Sequence, residues 1–273
     1  MQCRLVTRDA LLQPLLDSQG HVLSRAQALG AGLSRRAIEH RLASQQWQLL
    51  LPGVYLTAPG RPNRLQAQVA ALLYAGEDAA LDDVDACGLA GLAAVRAPNG
   101  VVFVVVPEGS RARSRGFVQV RRSRQPLTTL WATYQRRYLA PACALVAMSR
   151  RIRSEQTVLA AFSEAVQRRI VTLEQLVAAH QVGPPKFAAA AELALVDLGV
   201  GVRSAPEGTF HRLADASLVL GEVLYNRRCC CQTAESSSPT PSRQKLGWCM
   251  RPTVGAHMNV KTSSSRCRNG MTS

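Results

Sequence analysis

The stretch SRAQALGAGLSRRAIEHRLASQQ, Ser24 to Gln46, holds two helix starts placed one after the other around a glycine. Ser24 and Ser34 each precede a helix-forming run, where a serine hydroxyl can accept from a backbone N–H that has no partner inside the helix. The first run, Arg25 to Ala31, breaks at Gly32, and the second extends from Arg35 to about Gln45. On the second, Leu33, Ala37, Ile38 and Leu42 form an apolar stripe, which turns Arg35, Arg36, Glu39, His40 and Arg41 outward. Two capped helices joined at a glycine predict a helix-turn-helix.

The flanks extend that unit. Upstream, Leu11, Leu12, Leu15 and Leu16 lie at helical spacing within Arg8 to Gln19, and Gly20 with His21 closes this helix. Downstream, Trp47 to Leu51 and Val54 to Thr57 flank Pro52-Gly53 and read as two short strands around a tight turn. The whole, residues 1–60, predicts a winged helix whose third helix enters the major groove of duplex DNA. A recognition helix presents its amino-terminal side chains to base edges, and its first peptide N–H groups can meet a phosphate. Arg35 and Arg36 are therefore expected in the groove, His40 and Arg41 on bases or backbone, and Tyr55 on a basic wing.

The composition agrees with an anionic partner. The 273 residues include 33 Lys and Arg against 18 Asp and Glu, a formal net charge of +15. Lys186, Lys245 and Lys261 are the only lysines, so 30 of these cations are arginines, whose planar fork grips phosphates or guanine edges through two bonds. With 47% hydrophobic residues the chain can build real cores. Apolar runs such as Val101 to Val106 are too short to cross a bilayer, and Met1 to Gly20 lacks the apolar stretch of a signal peptide. The expected location is the cytoplasm, with no membrane partner.

Residues 61–182 predict a mixed α/β segment. Arg64 to Tyr74 and Ala86 to Val95 read as helices, and Val101 to Pro107 with Phe117 to Arg122 as two strands of a basic hairpin. The loop between these strands holds Arg111, Arg113 and Arg115. Glu155 to Arg169 and Thr172 to His180 are further helices, the second with Thr172 and Gln175 at capping-box spacing. Gly183-Pro184-Pro185 reads as a linker into residues 183–226, where Lys186 to Leu198 and Pro206 to Ala216 are helical.

The segments His21 to Ala28, Gly32 to Ile38 and Trp47 to Tyr55 resemble, in order, the amino-terminal winged-helix domain of the AbiEi antitoxin family. The resemblance covers about fifty residues. It implies DNA binding, often at an operator, in a cytoplasmic bacterial protein; a further reading is an antitoxin whose winged helix only autoregulates and whose partner is a cognate toxin protein. The middle segment is more weakly similar to actinobacterial relatives of that family. Those relatives generally carry Ser-His where this chain has Asp82-Asp83, and usually an Arg and an Asp near Cys143 and Met148. Farther on, Ser204-Ala205-Pro206-Glu207-Gly208-Thr209-Phe210 and Leu224-Tyr225-Asn226 resemble the opening of Vsr-like PD-(D/E)xK endonuclease domains, in which the glutamate matching Glu207 sits beside a metal site.

After Asn226 the composition changes to Ser, Thr, Pro, Cys and Arg, with eight basic residues and Glu235 as the one acid. Residues 227–273 are expected to be disordered, because so few large apolar side chains cannot offset chain entropy. The thiols and imidazole of Cys229, Cys230, Cys231, Cys249 and His257 show no C-x-x-C spacing, so no zinc site is expected. Read one base out of register with GC-rich codons, Arg228 to Pro241 becomes LLLPDGGVVVADA, and Trp248 to Val254 becomes VHETDG provided that Arg251 uses an AGA codon. These strings look like the acidic core of the nuclease family, so the tail is expected to be an out-of-frame product. As written, the chain lacks the carboxylates that would hold Mg²⁺. The expectation is a DNA-binding protein with an incomplete, inactive nuclease-like part and no cofactor; its alternative is a Vsr-like metal-dependent endonuclease whose core has been lost to the frameshift.

Overall fold

The computed structural model describes residues 8–217, Val223–Leu224 and Cys249–Met250. It is a mixed α/β, helix-rich chain, as expected. Contacts divide it into two units, Met1–Thr209 and Phe210–Ser273.

The first unit opens with α1 (Arg8–Ser18), β1 (Val22–Ser24), α2 (Arg25–Gly30), α3 (Arg35–Ala43), β2 (Gln48–Leu51) and β3 (Val54–Leu56). The three strands form an antiparallel sheet in the order β1-β3-β2, which is winged-helix topology. Gly20 and His21 close α1 with φ of 60° and 65°. Ser24 starts α2 with a capping box completed by Gln27, and Ser34 Oγ accepts from the N–H of Ala37 at the start of α3. Pro52-Gly53 turns the wing with Gly53 at φ 74°, a value that favours glycine.

Side chains leave β3 alternately on two faces, and both are covered. Tyr55 points with Leu23 into a core built from Leu12, Ala28, Leu33, Ile38 and Trp47. Val54 and Leu56 join Val22 and Leu51 in a second core, shared with Val69, Leu81, Val102, Val104, Val106 and Val118 of the following elements. Residue 60 is consequently a change of architecture and not a break in packing: the expected boundary there divides one continuous core.

That second core is organised by α4 (Arg64–Ala75), started by an Asn63/Gln66 capping box and stopped at Gly76. The helix packs against strands of both sheets. Next come β4 (Ala80–Leu81), α5 (Asp83–Leu89), β5 (Val102–Pro107), β6 (Val118–Ser123), β7 (Thr129–Ala132) and β8 (Arg136–Leu139). Their five-stranded sheet has the order β6-β5-β4-β8-β7. The expected hairpin at β5 and β6 is a parallel pair, with Val102 opposite Val118 and Pro107 opposite Ser123. The connection therefore runs back along the full length of β5 before β6 begins. The helix expected over Ala86 to Val95 begins instead at Asp83 and ends by Gly91, whose φ is 85°.

Four helices follow: α6 (Pro141–Ile152), α7 (Glu155–Gln167), α8 (Leu173–Val182) and α9 (Ala189–Gly199). The predicted Thr172/Gln175 capping box opens α8. Since α9 packs on α6, α7 and α8, Gly183-Pro184-Pro185 connects elements within one unit and is not an interdomain linker. The last helix, α10 (Ala205–Asp215), runs into the second unit. In that unit β9 (Val223–Leu224) pairs antiparallel with β10 (Cys249–Met250). Tyr225 and Asn226 lie outside the described residues, as does the expected out-of-frame tail, residues 227–273, apart from Cys249–Met250, which pairs as a strand where disorder was expected.

No helix among the described residues is long and apolar enough to cross a membrane.

Candidate nucleic-acid interface

The outer face of α3 is set by its buried one. Ile38 and Leu33 are buried and Ala37 and Leu42 pack beside them, so the predicted stripe faces the core. Arg35, Arg36, Glu39 and His40 are exposed. Arg35 and Arg36 occupy the first turn, where helical N–H groups have no intrahelical acceptor and the backbone dipole is positive. From His21 to Asn63 the chain has one acid, Glu39, against Arg25, Arg35, Arg36, Arg41 and Arg61. Two adjacent guanidiniums at a positive helix end repel each other, an arrangement that an anion relieves.

Two of the expected contacts are placed differently. Arg41 is half-buried, its guanidinium carbon 5.0 Å from the centroid of the Trp47 ring. The Trp47 N–H also donates to the Arg41 carbonyl at 3.0 Å, so the chain folds the indole back under this side chain. Tyr55 is only 4% exposed, with its ring 5.8 Å from that of Trp47. It is a core residue because β3 is the central strand, covered on both faces. Nor is the wing basic, for no Lys or Arg occurs from Trp47 to Thr57. Its exposed large side chain is Leu49, 61% accessible.

Arg25 was not singled out by the sequence. It follows the Ser24 cap and is exposed, and its N–H donates to the Gly53 carbonyl at 2.7 Å, which places it against the wing turn. An arginine directly after a cap serine, as at Arg35, was the available signal.

Asp82-Asp83, noted as a departure from the AbiEi relatives, belongs to a buried acidic group with Asp85. Each carboxylate meets an arginine from another element: Arg121 Nε lies 2.6 Å from Asp82, Arg151 Nε 2.7 Å from Asp83, and Arg64 Nη2 2.6 Å from Asp85. Burial pushes the Asp83 carboxyl above its ordinary range against the pull of Arg151. Burial, reinforced by the Asp83 and Asp82 charges, also raises the Cys87 thiol far beyond the pH at which it could act as a nucleophile. These acids tie α5 to α4, β6 and α6.

Glu207 sits in the first turn of α10. Its Oε2 accepts from the Arg203 N–H at 2.8 Å, while its own N–H donates to Ser204 Oγ at 3.3 Å. This is the geometry of a helix start. Among the described residues no group of three or more His, Cys, Asp or Glu is placed to hold a metal ion.

No protein-family model and no curated protein matches the sequence. Among solved structures, the chain is similar to the Rv2827c protein of Mycobacterium tuberculosis with a TM-score of 0.46 and 16% identity, over 73% of this chain and 78% of that one.

Proposed function

We propose that this chain binds duplex DNA as a protein of the AbiEi antitoxin or transcriptional-regulator type, reading the major groove with α3. The observation that carries the reading is the pair Arg35 and Arg36, exposed on the first turn of the third helix of a winged helix-turn-helix. Arg35 and Arg36 supply the base-edge or phosphate contacts, His40 lies one turn farther along the same helix, and Arg25 reaches the backbone beside the wing turn. A cognate toxin is the second partner that this type implies.

Replacing Arg35 and Arg36 together with Ala should lower affinity for a selected operator duplex by about 1–3 kcal/mol per lost bidentate contact. The slope of log affinity against log salt should flatten as well. Fluorescence anisotropy over a salt series measures both, with circular dichroism to confirm an intact fold. Unchanged affinity and slope in the double variant would remove α3 from the interface.

A further inference from the structure

The β5–β6 connection carries three arginines that neither the winged helix nor the acidic group employs. Because β5 and β6 are parallel, residues 108–117 must return along the sheet, and they do so as a pinned segment. The Tyr74 hydroxyl donates to the Arg113 carbonyl at 3.1 Å. Arg122 Nη2 donates to the Ala112 carbonyl at 2.9 Å, and Arg115 and Val118 exchange N–H···O bonds of 3.0 Å in both directions. Ala112 packs into the core shared by the two sheets, and Ser114 Oγ accepts from the Val120 N–H at 2.9 Å. Ala112 is thus held toward the core and Ser114 is tied to β6, while Arg111, Arg113 and Arg115 are exposed.

Three arginines within five residues therefore form a comb of guanidiniums on a backbone that these bonds pin. No ion pair engages any of the three among the described residues, and Glu108, the one acid of the connection, is taken by Arg124 at 2.9 Å. The comb adjoins the wing. A methyl group placed on Gly116 would stand 3.5 Å from Leu51 Cδ2, and across the wing turn the Gly53 carbonyl holds Arg25.

We propose that Arg111, Arg113 and Arg115 form a second contact, a strip that grips the phosphate backbone of duplex DNA beside the winged helix. The inference rests on the DNA-binding reading above and extends it to a separate element. Its backbone is ordered before the ligand arrives, so binding has to order only the three side chains. Contacts of this kind fix position on the duplex and are indifferent to sequence, which gives the strip a role distinct from that of α3.

The test compares the full chain with its R111Q/R113Q/R115Q and R35A/R36A variants on duplexes of equal length and different sequence, over a salt series. The triple variant should lose roughly tenfold or more in affinity on every duplex, and its salt slope should fall by about 0.9 for each phosphate contact removed. R35A/R36A should instead reduce discrimination between duplexes. All three side chains are exposed, so the thermal midpoint should not move. If the wild type binds duplex DNA and the triple variant keeps its affinity and slope, the strip is wrong and the reading of α3 stands. A wild type that binds no duplex overturns both. Preference of the wild type for single-stranded RNA, lost in the triple variant, overturns the assignment to duplex DNA.

Discussion

Asp85→Ala is expected to cost about 3–5 kcal/mol of folding stability, the range for removing one partner of a buried, hydrogen-bonded ion pair. The side chain is fully buried and its oxygens accept three bonds. Oδ1 takes Arg64 Nη2 at 2.6 Å and Gln68 Nε2 at 2.7 Å, and Oδ2 takes the Phe103 N–H at 2.9 Å. Truncation strands a backbone donor at the start of β5, a buried amide on α4 and a guanidinium that is about one-third exposed. Arg64 keeps its 2.6 Å bond to the Val101 carbonyl, which limits its own loss. A whole domain has only about 5–15 kcal/mol in hand, so the variant should approach the edge of folding. Urea unfolding gives the measurement, with Asp85→Asn falling between the two because it retains one acceptor oxygen. An unfolding free energy for Asp85→Ala within about 1 kcal/mol of wild type would show that the acidic group does not tie α4 to the sheet.

Tyr55→Ala should cost about 3–5 kcal/mol, the usual penalty for emptying a large aromatic site in a core. The ring lies against Trp47 between the helices and the central strand, so its removal opens the core on which α3 rests. Tyr55→Phe retains the packing and should leave both the thermal midpoint and DNA affinity close to wild type. Loss of DNA affinity in Tyr55→Phe with an unchanged midpoint would place the hydroxyl on the DNA and contradict the buried position.

The same tyrosine shows where the sequence stopped being legible. A wing is ordinarily half-exposed, and alternation along Val54-Tyr55-Leu56 leaves one side chain on the face opposite the other two. Nothing local announces that α4 covers the second face. Hydroxyl caps, by contrast, act over three residues, and Ser24, Ser34 and Thr172 marked their helices from the sequence alone. The exposed positions of Arg35, Arg36 and His40 followed from the apolar stripe on the same helix. Three elements left no such mark. The turn between β7 and β8 uses Tyr134 and Gln135 at φ 60° and 52° where glycine would have signalled it, and α6 opens on Pro141 without a side-chain cap. β1 is three residues long and exists only through its pairing with β3. Likewise, a strand's amino acids do not say whether its neighbour is parallel, which is why the β5–β6 pair read as a hairpin. Asp82, Asp83 and Asp85 could be seen, but their burial depends on arginines that lie 39, 68 and 21 residues away.

The two-faced wing sheet also bears on how such a chain can be inherited and altered. A domain that ends at its own surface can be moved between genes as a cassette, but here the far side of the winged helix is the near wall of its neighbour. Cutting at residue 60 would leave Val22, Leu51, Val54 and Leu56 facing water, an invitation to self-association. Recombination at that point would therefore be selected against unless the neighbour travelled with it. The heritable piece is the winged helix together with α4 and the sheet behind it, and substitutions on either side of β3 are bound to be accepted or rejected in concert.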